Sequence, residues 1–195
     1  GATVIWAANY TGSNDRGPLV QNSDLTTGTI EITGSIINNG TTGASAISAI
    51  SDVIVTGGTV SGQLYGVSAE NVTIHAGSTI TSTGDAAVIA NNDVIITGGT
   101  ITGGSENGNA AVVTFNGSVT LAGGTITAHP GAMAVSSDTV TVTGDVAISG
   151  NVGVTDSQWP ISITVNAGGT LTVPSGRTLT VTNTGTIVNN GAIVN

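Results

Sequence analysis

"VIITGGTITG", Val94 to Gly103, is the stretch on which the fold turns. "VIVTGGTVSG" at 53–62 and "VTLAGGTITA" at 119–128 repeat it closely, and looser copies lie between and beyond. Each copy holds a short apolar strand, a glycine pair and a Thr-x-Thr or Thr-x-Ser run. Successive side chains of a strand point to opposite faces, so Ile101 faces one way while Thr100 and Thr102 face the other. Branched side chains suit a pleated surface, and glycine is the residue for which a positive φ costs least. The copies therefore read as strand, corner, strand.

Working outward, each copy can be anchored on the apolar residue before its glycine turn. The anchors are Ile32, Val55, Ile74, Ile96, Leu121, Val142, Val165 and Val181. Their spacing wanders around one value and neither doubles nor vanishes. A hairpin sandwich offers turns every 8–12 residues and no reason for the sequence to recur. A parallel solenoid supplies both, because each coil is a set of short strands stacked in register on the next. The fold class expected is all-β, a right-handed parallel β-solenoid of about eight coils, roughly 40 Å long at the spacing of paired strands. Val60, Ile80, Ile101, Ile126, Ile148, Leu171 and Ile187 should form one inward column, with Gly57-Gly58, Gly98-Gly99, Gly123-Gly124 and Gly168-Gly169 at the corners. Three residues before the anchors runs a small polar column: Asp52, Asn71, Asp93, Ser118, Thr139 and Ser162. Such side chains bond turn amides and their counterparts one coil away.

Composition agrees with this reading. The 195 residues include 30 glycines, 3% are aromatic and only 7% are charged. A disordered chain combines low hydrophobicity with high charge, and this one does neither. The net charge is −9, and Arg16 and Arg177 are the only strong bases. Nucleic acids and anionic membrane surfaces require clustered cations, so neither partner is expected. No apolar run is long enough for a membrane-spanning helix. Cysteine is absent, which removes disulfides and thiolate metal sites. The lack of lysine, the acidic balance and the abundance of Thr, Ser, Asn and Gly point to an extracellular or cell-surface location. "GATVIWAA" at the start reads as a mature or excised terminus.

Two stretches depart from the repeat. Residues 1–26, with Trp6, Tyr10, Arg16 and Pro18, are expected to form an N-terminal cap or assembly segment ahead of a solenoid over 27–195. Residues 150–162, with Trp159, are expected to form an irregular loop. The tail keeps the strand pattern to Asn195, so an uncapped C-terminal end is expected. Leu179, Val181, Ile187 and Ile193 would be its inward, assembly-competent edge.

The "TGGTITG" strings and the tail "GGTLTVPSGRTLTVTNTGTIVNNGAIVN" resemble the pectate-lyase-like right-handed β-helix repeats of microbial cell-surface proteins and adhesins. The resemblance spans roughly 27–195. It implies a surface-exposed structural or adhesive module, often one segment of a larger protein.

Three functions are compatible with such a rod. The first is a non-enzymatic extracellular or adhesive solenoid that associates end to end or belongs to a larger surface protein. Its partners would be its own copies, further coils of a longer chain, a glycan or a host surface. The second is a polysaccharide-binding or polysaccharide-cleaving β-helix. It would pair Asp52 with Asp93 as catalytic carboxylates, two coils and about 10 Å apart, at or beyond the upper end for an inverting glycosidase. His75 beside a glycine turn and His129 before Pro130 lack a carboxylate partner in sequence. The third is ice binding. Thr59, Thr79, Thr81, Thr100, Thr102, Thr125, Thr127, Thr170 and Thr172 form an outward Thr-x-Thr ladder resembling the ice-binding face of β-solenoid antifreeze proteins, although Ala147 and Ser149 interrupt it. The first reading predicts no catalytic residue, no cofactor and no metal. Asn9, Asn39, Asn71 and Asn116 open glycosylation sequons.

Overall fold

Branched side chains alternating with Thr, Ser and Asn leave each segment one apolar side and one polar side, and stacking buries the first. A computed structural model of the chain describes residues 1–23, 27–105, 110–152, 162–173, 175 and 186–195. Every strand pair among them is parallel, and no helix is present among them. The strands stack as a three-faced β-solenoid.

The first face runs from Ala2–Trp6 through Gly28–Ile32, Asp52–Val55 and Val72–Ile74 to Ser162–Val165 and Thr186–Asn189. The second contains Tyr10–Gly12, Ile36–Asn38, Gly58–Gly62, Ser78–Ser82, Thr170–Thr172 and Ala192–Val194. Three long strands, Val94–Gly103, Ser118–Ala128 and Thr139–Ser149, bend through their glycines and serve both faces, fusing them into one 15-stranded sheet. The third face is a separate 7-stranded sheet from Pro18–Asn22 to Asn151–Val152. Among the described residues seven turns carry strands on all three sides, close to the about eight coils expected.

The anchors form a single column. Ile32 lies opposite Val55, and the pairing continues through Ile74, Ile96, Leu121 and Val142 to Val165. All are fully buried. The inward column of the second face is equally continuous from Ile36 and Val60 through Ile80, Ile101 and Ile126 to Ile148. Methyl groups from neighbouring coils meet at the ~4.8 Å strand spacing, which leaves the interior no space for rings.

Three expectations of register need correction. Leu171 stacks on Val146, not on Ile148, and Ile187 stacks on Ile163 of the first face rather than joining the second-face column. The residue opposite Val165 is Asn189, so Val181 does not supply the next anchor; Val181 itself lies outside the described residues. For Leu171 the cause is corner length. Before the corner Val142 pairs with Val165, and after it Asp145 pairs with Thr170. The Asn166–Gly169 corner is therefore two residues longer than its predecessor. With a side-chain period of two, such an insertion keeps every residue on its own side yet changes its partner.

The corners use glycine where anticipated. Gly58, Gly99, Gly124 and Gly168 have φ of 73°, 90°, 95° and 84°. At Gly99 space is limiting as well, since a Cβ would lie 2.8 Å from the carbonyl oxygen of Ser78 one coil below.

Residues 2–22 enter the ladders as a first coil: Val4 lies opposite Ile30, Tyr10 opposite Ile36 and Val20 opposite Ile47. Trp6 occupies the anchor position, opposite Ile32, and meets Tyr10 edge-on with centroids 6.2 Å apart. A ring fits there because only one described coil packs against it. Trp159 and most of the expected 150–162 loop lie outside the described residues.

Candidate functional site

The outward side of the second face carries the most regular chemistry. Thr59, Thr79, Thr100 and Thr125 are stacked rung on rung, and Ser61, Thr81, Thr102 and Thr127 form a parallel column one pleat away. Rungs repeat at ~4.8 Å along the rod, and the two columns stand about 7 Å apart along the strands. Their side chains are partly exposed, Thr100 most openly. Thr81 donates to Ser61 at 2.8 Å, which fixes this one pair of hydroxyls. Strand register thus presents these side chains in a two-dimensional array.

The array is shorter than the sequence suggests. Ala147 follows Thr125 in the first column and Ser149 follows Thr127 in the second. Thr172 returns to the first column beyond Ala147, but Thr170 lies beside Asp145, outside both columns. The two-residue insertion at the preceding corner displaces it. The regular part is therefore four double rungs, from Thr59/Ser61 to Thr125/Thr127.

The polar column before the anchors is a hydrogen-bonded ladder. Asn71 Nδ2 donates to Asp52 Oδ1 at 2.7 Å, and Asn71 Oδ1 accepts from the Asp93 amide at 3.1 Å. Asp93 Oδ1 in turn accepts from the Ser118 amide at 2.8 Å and from the Ser118 hydroxyl at 3.0 Å. Asp52 and Asp93, the carboxylates that could have formed a catalytic pair, are separated by Asn71 and spent on the ladder. A second ladder has no counterpart among the columns read from sequence. The threonine following the anchor donates to the carbonyl of the anchor one coil earlier: Thr56 to Ile32, Thr97 to Ile74 and Thr143 to Leu121, at 3.2–3.4 Å. Its only signal is the recurring "TG" after the anchors. In sequence, however, an outward threonine looks the same whether or not a carbonyl lies above it.

The histidines also point to structure. His75 takes the place of a threonine in this second column, with Nδ1 2.9 Å from the Thr97 hydroxyl. That hydroxyl has one proton; when it goes to the Ile74 carbonyl, the imidazole must be the donor. His129 Nε2 lies 2.9 Å from the carbonyl oxygen of Ser82, an atom that only accepts, so Nε2 carries hydrogen. Among the described residues no group of three His, Asp or Glu side chains is placed to hold a metal ion.

Of the expected assembly edge, Leu179 and Val181 lie outside the described residues. Ile187 and Ile193 continue the columns of Ile163 and Leu171. Those neighbours are 1% exposed, whereas Ile187 is 45% exposed. Ile193 packs partly against the core.

No protein-family model, no curated protein and no solved structure matches this chain.

Proposed function

We propose that the chain is a non-enzymatic structural or adhesive β-solenoid that works outside the cell, at a cell surface. The observation behind this reading is where the polar side chains are used. Acids, amides and hydroxyls at the corners bond from coil to coil, as Asn71 does between Asp52 and Asp93, and so stiffen a rod with flat, repetitive sides. A stiff rod holds a surface at a fixed distance and orientation. The strand edge at Ile187 and Ile193 would be buried by a further coil, from a longer chain or from another copy, through parallel strand addition. Tests of this reading are electron microscopy of the purified chain, with fibres or uniform rods expected, and assays against pectin, alginate and xylan with and without calcium. No turnover is expected, and turnover abolished by Asp93→Asn would replace this reading with the polysaccharide-cleaving one.

A second reading is favoured by the threonine array alone. Four double rungs in register are a surface that an ordered lattice, ice above all, can match repeatedly, and a disordered ligand cannot. Thr100→Tyr would break that array at its most exposed rung without entering the core. Loss of ice-crystal shaping in that variant would support this reading, and an intact chain that leaves ice growth unaltered would eliminate it.

A further inference from the structure

Asparagine followed by glycine is chemically labile, because the glycine nitrogen can attack the asparagine side chain when nothing else engages that nitrogen. Three such dipeptides lie among the described residues: Asn39-Gly40, Asn116-Gly117 and Asn190-Gly191. In two of them the nitrogen is engaged. Gly40 donates to Asn38 Oδ1 at 3.1 Å, and Gly191 donates to Asn189 Oδ1 at 3.2 Å. Both belong to "NNG" strings, in which the first asparagine closes a turn over the glycine amide. Asn38 is itself 4% exposed and held by further bonds, its Nδ2 donating to the Ser45 carbonyl at 2.7 Å.

The third dipeptide is preceded by Phe115, which has no side-chain acceptor. Asn116 is exposed, its backbone amide donates to the Asn91 carbonyl at 2.9 Å, and its side chain has no hydrogen-bond partner among the described residues. The Gly117 carbonyl lies 3.2 Å from the Thr114 hydroxyl and 3.3 Å from the Ser137 hydroxyl, while its N–H is unbonded among the described residues.

We propose that Asn116-Gly117 is a site of spontaneous deamidation that converts Asn116 to aspartate and isoaspartate. The Gly117 nitrogen loses its proton and bonds to Cγ of Asn116. The Cγ–Nδ2 bond breaks and ammonia leaves with that proton, closing a five-membered cyclic imide. Water then opens the imide at either carbonyl, and no oxidant or reductant is needed. Opening at the backbone carbonyl routes the main chain through the former side chain and adds one backbone carbon at the corner. That corner positions Ser118 for its two bonds to Asp93, so the isoaspartyl product disturbs a rung of the polar ladder.

The test is incubation of the intact chain at mildly alkaline pH. Aliquots are digested and analysed by mass spectrometry with fragmentation that distinguishes aspartate from isoaspartate. Freeing a glycine nitrogen from one hydrogen bond corresponds to roughly a tenfold difference in rate. Asn116 should therefore react about tenfold faster than Asn39 and Asn190 in the native chain, and at a similar rate in denaturant. Asn189→Ala, an exposed substitution that leaves Gly191 without its acceptor, should raise the rate at Asn190 toward that of Asn116. Equal native rates at Asn116 and Asn39, or no acceleration at Asn190 in the variant, would overturn the assignment.

Discussion

Replacing Ile101 by alanine tests the interior of the rod most directly. Ile101 is fully buried and lies between Ile80 and Ile126 in the second-face column. The substitution removes three carbons, worth about 2.4 kcal/mol in transfer free energy at ~0.8 kcal/mol each. The neighbours above and below are held by strand ladders at a fixed spacing and cannot close over the gap, so a cavity term brings the total to about 3–4 kcal/mol. Ile95, earlier on the same long strand, is the control. It is 42% exposed on the outer side, beside Thr73 and Thr120, and its truncation should cost less than about 1 kcal/mol. Urea unfolding followed by far-ultraviolet circular dichroism reads both. At a slope near 2 kcal/mol per molar urea, the midpoint should fall by about 1.5–2 M for Ile101→Ala and by under about 0.5 M for Ile95→Ala. Comparable losses in the two variants would refute the assignment of inside and outside on which the fold reading rests.

Other perturbations address the corners and the titrating groups. Gly99→Ala places a Cβ 2.8 Å from the Ser78 carbonyl on a residue with φ of 90°, and should destabilise the chain by about 1–3 kcal/mol in the same assay. Asp93→Ala removes the acceptor for both Ser118 donors and should cost about 0.5–1.5 kcal/mol, because these bonds are exposed and water takes up the freed donors. Tyr65 has its phenol pKa raised above 10.0 by burial and, secondarily, by the nearby Asp85 carboxylate. The folded state holds that proton more tightly than the unfolded chain, so the associated stability is complete below pH 10 and is lost as pH rises through the folded pKa. Tyr65→Phe should flatten that alkaline decline in urea midpoints measured across the range, and an unchanged decline would contradict it.

The residues themselves were sufficient to recognise a parallel β-solenoid, because its determinants are local and repeated. Ile32, Val55 and Ile74 had to stack once each coil carried the same alternation and the same glycine corner, and the polar column from Asp52 to Ser118 followed from spacing alone. Partner identity past Val165 could not be read the same way. Moving a strand by two residues leaves its inward and outward pattern intact, so Leu171 satisfies the same pattern opposite Val146 as opposite Ile148, and Thr170 remains outward whether it extends the array or leaves it. Only the length of the Asn166–Gly169 corner in three dimensions chooses between them. Trp6 was missed as an anchor for a related reason. Its ring breaks the aliphatic pattern, and only the assembled fold shows that the first coil has room for it. The use of Thr56 and Thr97 as donors likewise depends on a carbonyl that the preceding coil brings within 3.2 Å, a proximity that exists only once the coils are stacked.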